Sequence, residues 1–264
     1  MTTDYEVLAI RHGDQQTTKS HCYYRYSSYR EPDADIGMDF FFWLIRNENT
    51  TILVDTGWSV EAVAARPPRR RLADAREAVG ALGTDPDSIS HVIVTHMHYD
   101  HTGNLPEFPS ARIVVQAEEV GFWTSRYGAY PPMAAPSESA EIAYIQAAIK
   151  RGAADVVEGP ATVLPGIRVV PVGGHTPGQQ IVIVEGRQDI VLASDALHYY
   201  EEMDRDRPYE LFTNIFQMYD AYAELRRMRD DGAIIVAGHD PLVMERFALV
   251  ESTDPQLQAV RISS

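Results

Sequence analysis

Short apolar runs recur along the chain, each bounded by polar or turn-forming residues. Phe40–Ile45 is an aromatic and aliphatic run. Thr51–Val54 follows it across Asn47-Glu48-Asn49, which predicts a hairpin. His91–Thr95, Arg112–Gln116, Ile167–Pro171, Ile181–Glu185, Ile190–Ala193 and Ala233–Ala237 read as further strands. Helical spacing appears between them. Asp74–Leu82 is one such segment, closed by Gly83. In Ser137–Lys150, Ile142, Ile145 and Ile149 share a face, Ser137 can cap the start and Gly152 follows the end. Tyr209–Arg229 predicts a third helix. Strands mixed with helices throughout indicate an α/β protein.

Two segments escape this pattern. Residues 17–38 carry Tyr23, Tyr24, Tyr26 and Tyr29 without clear periodicity, and residues 122–136 carry Trp123, Tyr127, Tyr130 and several prolines. Aromatic loops of this kind serve substrate binding or a dimer seam. The stretch Arg66-Pro67-Pro68-Arg69-Arg70-Arg71 reads as a solvated basic loop. Phe42 and Trp43 read as core, and His12, His21 and His91 as ordinary core or surface residues.

A length of 264 residues suits one domain spanning residues 1–264, with a sizeable core. Charge narrows the partners. Lys and Arg total 23 against 38 Asp and Glu, a net charge of −15. Such a surface repels nucleic acid and anionic lipid. No apolar stretch reaches a membrane-spanning length and the start does not read as a secretory signal, so a cytoplasmic location is expected. One cysteine, Cys22, excludes an internal disulfide and a thiolate zinc cage, and reads as an inert small residue.

The chemistry concentrates in Thr95-His96-Met97-His98-Tyr99-Asp100-His101-Thr102-Gly103-Asn104. Four potential metal ligands within six residues follow directly on Val92-Ile93-Val94, so a buried strand delivers them to a sheet edge. Alternation points His96 and His98 the same way. Three further groups follow strand-like runs: His175 in Gly173-Gly174-His175-Thr176-Pro177-Gly178, Asp195 in Leu192-Ala193-Ser194-Asp195, and His239 in Val236-Ala237-Gly238-His239. Each is weak alone. Together, five histidines and two aspartates suit two divalent ions. His96, His98 and His175 can hold one, Asp100, His101 and His239 the other, and Asp195 can bridge. Zinc leads for this nitrogen and oxygen set, with iron, manganese and cobalt also suited.

The pattern His96-x-His98-x-Asp100-His101, then His175, Asp195 and His239, resembles the metallo-β-lactamase fold superfamily. Leu53-Val54-Asp55-Thr56-Gly57 resembles its second-strand signature. The likeness runs from Phe40 to His239. It implies a four-layer αββα sandwich with a dinuclear metal site at one sheet edge. Length, ligand order and Asp195 look most like the N-acyl homoserine lactonases and related metal-dependent lactonases. The nuclease branch would need a basic surface.

That resemblance implies opening of a lactone ring by a metal-bridging hydroxide, oriented by Asp100. The substrate would be a small lactone, with quorum-signal quenching as one use. Hydrolysis of another ester, thioester or amide is the alternative reading, and a non-catalytic binding protein is the third. Asp55 is the expected support for a ligand histidine, or else a turn cap. The family's lactonases carry a tyrosine three residues after the bridging aspartate, where this chain has His198, followed by Tyr199. Either is placed by the resemblance to assist at the substrate carbonyl. A monomer or homodimer is expected.

Overall fold

In the computed structural model, which describes residues 5–262, the long strands β1 (Glu6–Thr18) and β2 (Asp35–Arg46) pair antiparallel. Their alternating side chains feed two separate cores. Val7, Ala9, Phe41, Trp43 and Ile45 face one; Leu8, Ile10, Phe42 and Leu44 face the other. A strand apolar on both faces must be covered on both, and this sets the layering.

The remaining strands are β3 (Thr51–Val54), β4 (Arg70–Arg71), β5 (His91–Ile93), β6 (Arg112–Gln116), β7 (Ala154–Val157), β8 (Ala161–Leu164), β9 (Ile167–Pro171), β10 (Gln180–Val184), β11 (Ile190–Ser194), β12 (Ile234–Ala237), β13 (Ala248–Leu249) and β14 (Gln258–Arg261). The larger sheet runs β13-β14-β1-β2-β3-β5-β6-β7, with β4 attached to β1. Its strands β3, β5, β6 and β7 are parallel. The smaller sheet runs β12-β11-β10-β9-β8, parallel only between β11 and β12.

The first core lies between the sheets, where Trp43, Val54 and Ile93 meet Val169, Ile181 and Val191. The helices Ala75–Ala81 and Ser139–Lys150 cover the outer face of the larger sheet through Ala75, Val79, Ile145 and Ala148. The helix Ile215–Asp230 packs on the smaller sheet through Met218, Tyr222 and Leu225. The result is the expected four-layer αββα sandwich. Burial of each large side chain in these cores contributes about 1.5–3 kcal/mol.

Several boundaries differ from the sequence reading. Ser137 does not cap its helix. The helix starts at Ser139 with Glu138 as its cap residue, and the Ser137 hydroxyl instead donates to the Ala134 carbonyl. The third helix starts at Ile215, capped by the Asn214 side chain, while Tyr209 forms an isolated bridge with Tyr23. Pro208 cannot donate within a helix, which favours the extended link. Residues 35–38 belong to β2, and helical turns at Lys19–Cys22 and Tyr26–Tyr29 break the aromatic segment before it. Among the described residues, no helix is long and apolar enough to cross a membrane.

Candidate metal centre

The C-terminal ends of β3, β5, β9, β11 and β12 open onto one edge, and each leads into a short turn. Residues 94–102 follow β5, with Tyr99–Thr102 forming one helical turn. His175 follows β9, Asp195 follows β11 and His239 follows β12. All seven ligand candidates are buried.

They converge in groups. Ligand atoms of His96, His98, His175 and Asp195 all lie within 4.8 Å of one another. The same holds for Asp100, His101 and His239, and for Asp195, His198 and His239. Asp195 sits at the junction. Its Oδ1 is 3.1 Å from His101 Nε2 and 3.0 Å from His239 Nε2; its Oδ2 is 3.3 Å from His175 Nε2 and 3.1 Å from His198 Nε2.

Outer contacts decide which nitrogen faces inward. His175 Nδ1 donates to the Leu211 carbonyl at 2.8 Å, and His239 Nδ1 donates to the Asp39 carbonyl at 2.8 Å. A carbonyl oxygen only accepts, so both protons sit on Nδ1 and both Nε2 lone pairs point into the cluster. His98 Nδ1 lies 3.0 Å from His96 Nε2 and 2.9 Å from His175 Nε2. Lone pairs and carboxylate oxygens thus face each other with few protons between them. Such a set repels itself unless a cation sits among its members. The donor set therefore fits divalent ions.

Electrostatics agree. Burial holds His96 and His98 well below the usual imidazole range and takes His175 down to about 3, so these rings are neutral and able to bind a cation. Burial also opposes charge on His101, but Asp195, Asp100 and Asp55 outweigh it and raise its pKa. A cation can take the place of that proton.

Asp55 supports the site. Its Oδ1 accepts from Thr95 N at 2.8 Å, and its Oδ2 accepts from Thr95 Oγ1 at 2.7 Å and His101 Nδ1 at 2.8 Å. Its carboxylate reaches His101 and Thr95 from a backbone held at φ 61°. Glu119, silent in the sequence reading, ties two ligand loops together. Its Oε1 accepts from Met97 N and Trp123 Nε1, both at 2.7 Å; its Oε2 accepts from Thr176 Oγ1 at 2.7 Å and Gly178 N at 3.0 Å. Gly178 must lack a side chain, because a Cβ there would lie 2.2 Å from Glu119 N.

His198 and Tyr199 part company. His198 joins the cluster through Asp195, and its Nδ1 is 3.5 Å from Glu202 Oε1. Burial opposes its charge, yet Asp195 and Glu202 raise its pKa to about 9. Tyr199 points away. It precedes the helix Tyr200–Arg205 in an extended conformation, and its hydroxyl donates to the Gly37 carbonyl at 3.2 Å, beside Cys22 Sγ at 3.5 Å. The ring beside His198 is instead Tyr209, which no motif marked. A cleft next to His98 and His175 is lined by Trp123, Met133, Pro136 and Phe212, so residues 122–136 border the cluster. His12 is buried edge-on against Trp58, with ring centres 4.9 Å apart, outside these groups.

Two stacked sheets with a buried His/Asp cluster at the edge define a metallo-hydrolase. The family model of the metallo-beta-lactamase superfamily matches residues 41–239, about three quarters of the chain, and the protein belongs to that superfamily. A probable metallo-hydrolase of Mycobacterium tuberculosis is 26% identical over 236 residues, covering 75% of this chain and 73% of the relative. An N-acyl homoserine lactonase of Bacillus thuringiensis is 24% identical over 228 residues, covering 79% and 84%. Among solved structures, a quorum-quenching N-acyl homoserine lactone lactonase superposes with a TM-score of 0.74 at 22% identity, covering 91% of this chain and 95% of its own. The dizinc quorum-quenching lactonase AidC superposes at 0.71 with 17% identity, covering 100% and 96%.

Proposed function

We propose that this protein is a metal-dependent lactonase that opens a small lactone to a hydroxy acid. The observation that carries the reading is the inward convergence of imidazole lone pairs and carboxylates beside an apolar cleft. His96, His98 and His175 would hold one ion and Asp100, His101 and His239 a second, with Asp195 between the two groups; zinc is the leading ion. Divalent ions held there supply Lewis acidity and a hydroxide nucleophile at neutral pH.

The chain's own groups do the rest. Asp100 Oδ2 lies 3.6 Å from His101 Nε2 and 3.9 Å from His239 Nε2, at the centre of the second group. It orients the attacking hydroxide, takes up its remaining proton after attack and passes that proton to the ring oxygen as the oxygen leaves. His198 Nε2 donates to the carbonyl oxygen as negative charge builds there. Trp123, Met133 and Phe212 keep water from the apolar part of the substrate.

One metal-loaded preparation assayed on homoserine, γ- and aromatic lactones, and on thioester, amide and phosphodiester controls, tests this reading. Lactone turnover is expected, and it is expected to vanish in His98→Ala and Asp195→Asn. Turnover confined to a control substrate, or none at all from protein with full metal content, removes the lactonase reading.

A further inference from the structure

The run from Arg66 to Arg71 reads from sequence as a solvated basic loop, yet the structure pairs three of its four arginines. Arg66 meets Glu138 at 2.6 Å, Arg70 grips both oxygens of Asp14 at 2.7 and 2.6 Å, and Arg71 bonds Asp74. Arg69 differs. Its side chain makes no hydrogen bond or ion pair among the described residues, and its Nε, like that of Arg71, is sealed from solvent without an acceptor.

Its position gives this meaning. The guanidinium lies 5.9 Å from the Phe40 ring centre and 5.6 Å from that of Tyr99. Phe40 stands edge-on to His239 at 4.9 Å, and Tyr99 adjoins Asp100. The Tyr99 hydroxyl is itself buried without a partner. The Arg69 charge acts on the phenols of both Tyr99 and Tyr209, and so do the charges of Asp100 and Asp195. Arg69 is thus one aromatic ring removed from His239, through Phe40, and lies beside the ring that precedes Asp100.

An unpaired, partly buried guanidinium is costly to keep. Ions would make it costlier, because two divalent cations against Asp100, Asp195 and one hydroxide leave the centre positive. A guanidinium fork matches a carboxylate in geometry as well as charge. We infer that Arg69 receives a carboxylate carried by the substrate, so that the preferred substrate is an anionic lactone or ester, with the Tyr99 hydroxyl as a second donor. This rests on the hydrolase reading above. It separates the chain from an enzyme tuned to a neutral lactone.

The test compares a γ-lactone bearing a carboxylate with its uncharged parent on metal-loaded protein. The charged lactone is expected to show at least about tenfold higher kcat/KM. Arg69→Gln should erase most of that preference through KM, and Arg69→Lys should keep part of it. A preference near one in the wild type, or equal losses on both lactones in Arg69→Gln, overturns the inference. Calorimetric titration with glutarate supplies a readout independent of turnover, expected to weaken at least about tenfold in Arg69→Gln at unchanged metal content. If neither lactone is hydrolysed but glutarate binding shows this loss, the Arg69 assignment stands and the lactonase reading falls. Equal glutarate binding, or metal lost from the variant, overturns the Arg69 assignment.

Discussion

His198 lies flat on Tyr209, with ring centres 3.7 Å apart and planes 14° from parallel. The stack fixes the imidazole with Nε2 toward Asp195 and Nδ1 toward Glu202. If Nε2 donates to the reacting carbonyl, His198→Gln should lower kcat about a hundredfold, the usual cost of one such donor, with KM little changed. Steady-state kinetics and elemental analysis of the same preparation check this. A variant that loses an equivalent of metal would make His198 a ligand, through its grouping with Asp195 and His239.

Asp55 is fully buried and spends its carboxylate on Thr95 and His101. Asp55→Asn keeps the shape but removes an acceptor, so the His101 ring is no longer held in one tautomer. Metal affinity should fall by about 10–100-fold while the fold persists. Competition with a chromophoric chelator measures the affinity, and circular dichroism monitors the fold. Unchanged affinity would reduce Asp55 to a turn residue.

How much of this was legible differs by element. β3, β6 and β9 match their predicted bounds residue for residue, because each is a β-branched or aliphatic run between turn residues. β1 was missed, since Arg11, His12, Gly13 and Asp14 interrupt its apolar pattern. Those breaks serve pairing with β4 and the Arg70–Asp14 contact, which a one-dimensional pattern does not carry. The seven ligand candidates were visible because they sit in strand-end turns where local spacing is informative. Glu119, Tyr209 and Arg69 were not. Three of the four partners of Glu119 lie 22 to 59 residues away, and a partly buried guanidinium without a partner, the telling fact about Arg69, exists only in three dimensions.

Glu119 accepts four donors while fully buried, so both oxygens are needed. Glu119→Gln turns one of them into a donor facing donors. Orphaned buried groups cost about 1–3 kcal/mol each, so a stability loss of roughly 2–4 kcal/mol is expected. Because Met97 and Thr176 flank the ligand candidates His96, His98 and His175, metal affinity should drop as well. Urea unfolding of metal-free and metal-loaded protein separates the two effects. A variant as stable as wild type in both states would refute the clamp.

Glu141 couples stability to pH. Burial raises its carboxyl pKa to about 8; the charges of Glu138 and Asp100 add to this, while the Thr102 hydroxyl bond and Arg66 oppose it. In the unfolded chain a glutamate titrates near ~4.3. Between these values the folded protein keeps a proton that the unfolded chain has released. The unfolded state therefore binds fewer protons, and stability falls as pH rises across that window. The contribution is complete below about pH 4 and is lost as pH passes about 8. Glu141→Gln cannot titrate, so its melting temperature should fall less than that of wild type between about pH 5 and 9. Differential scanning calorimetry at matched metal content measures both slopes. Parallel slopes would mean that Glu141 does not hold its proton in the folded state.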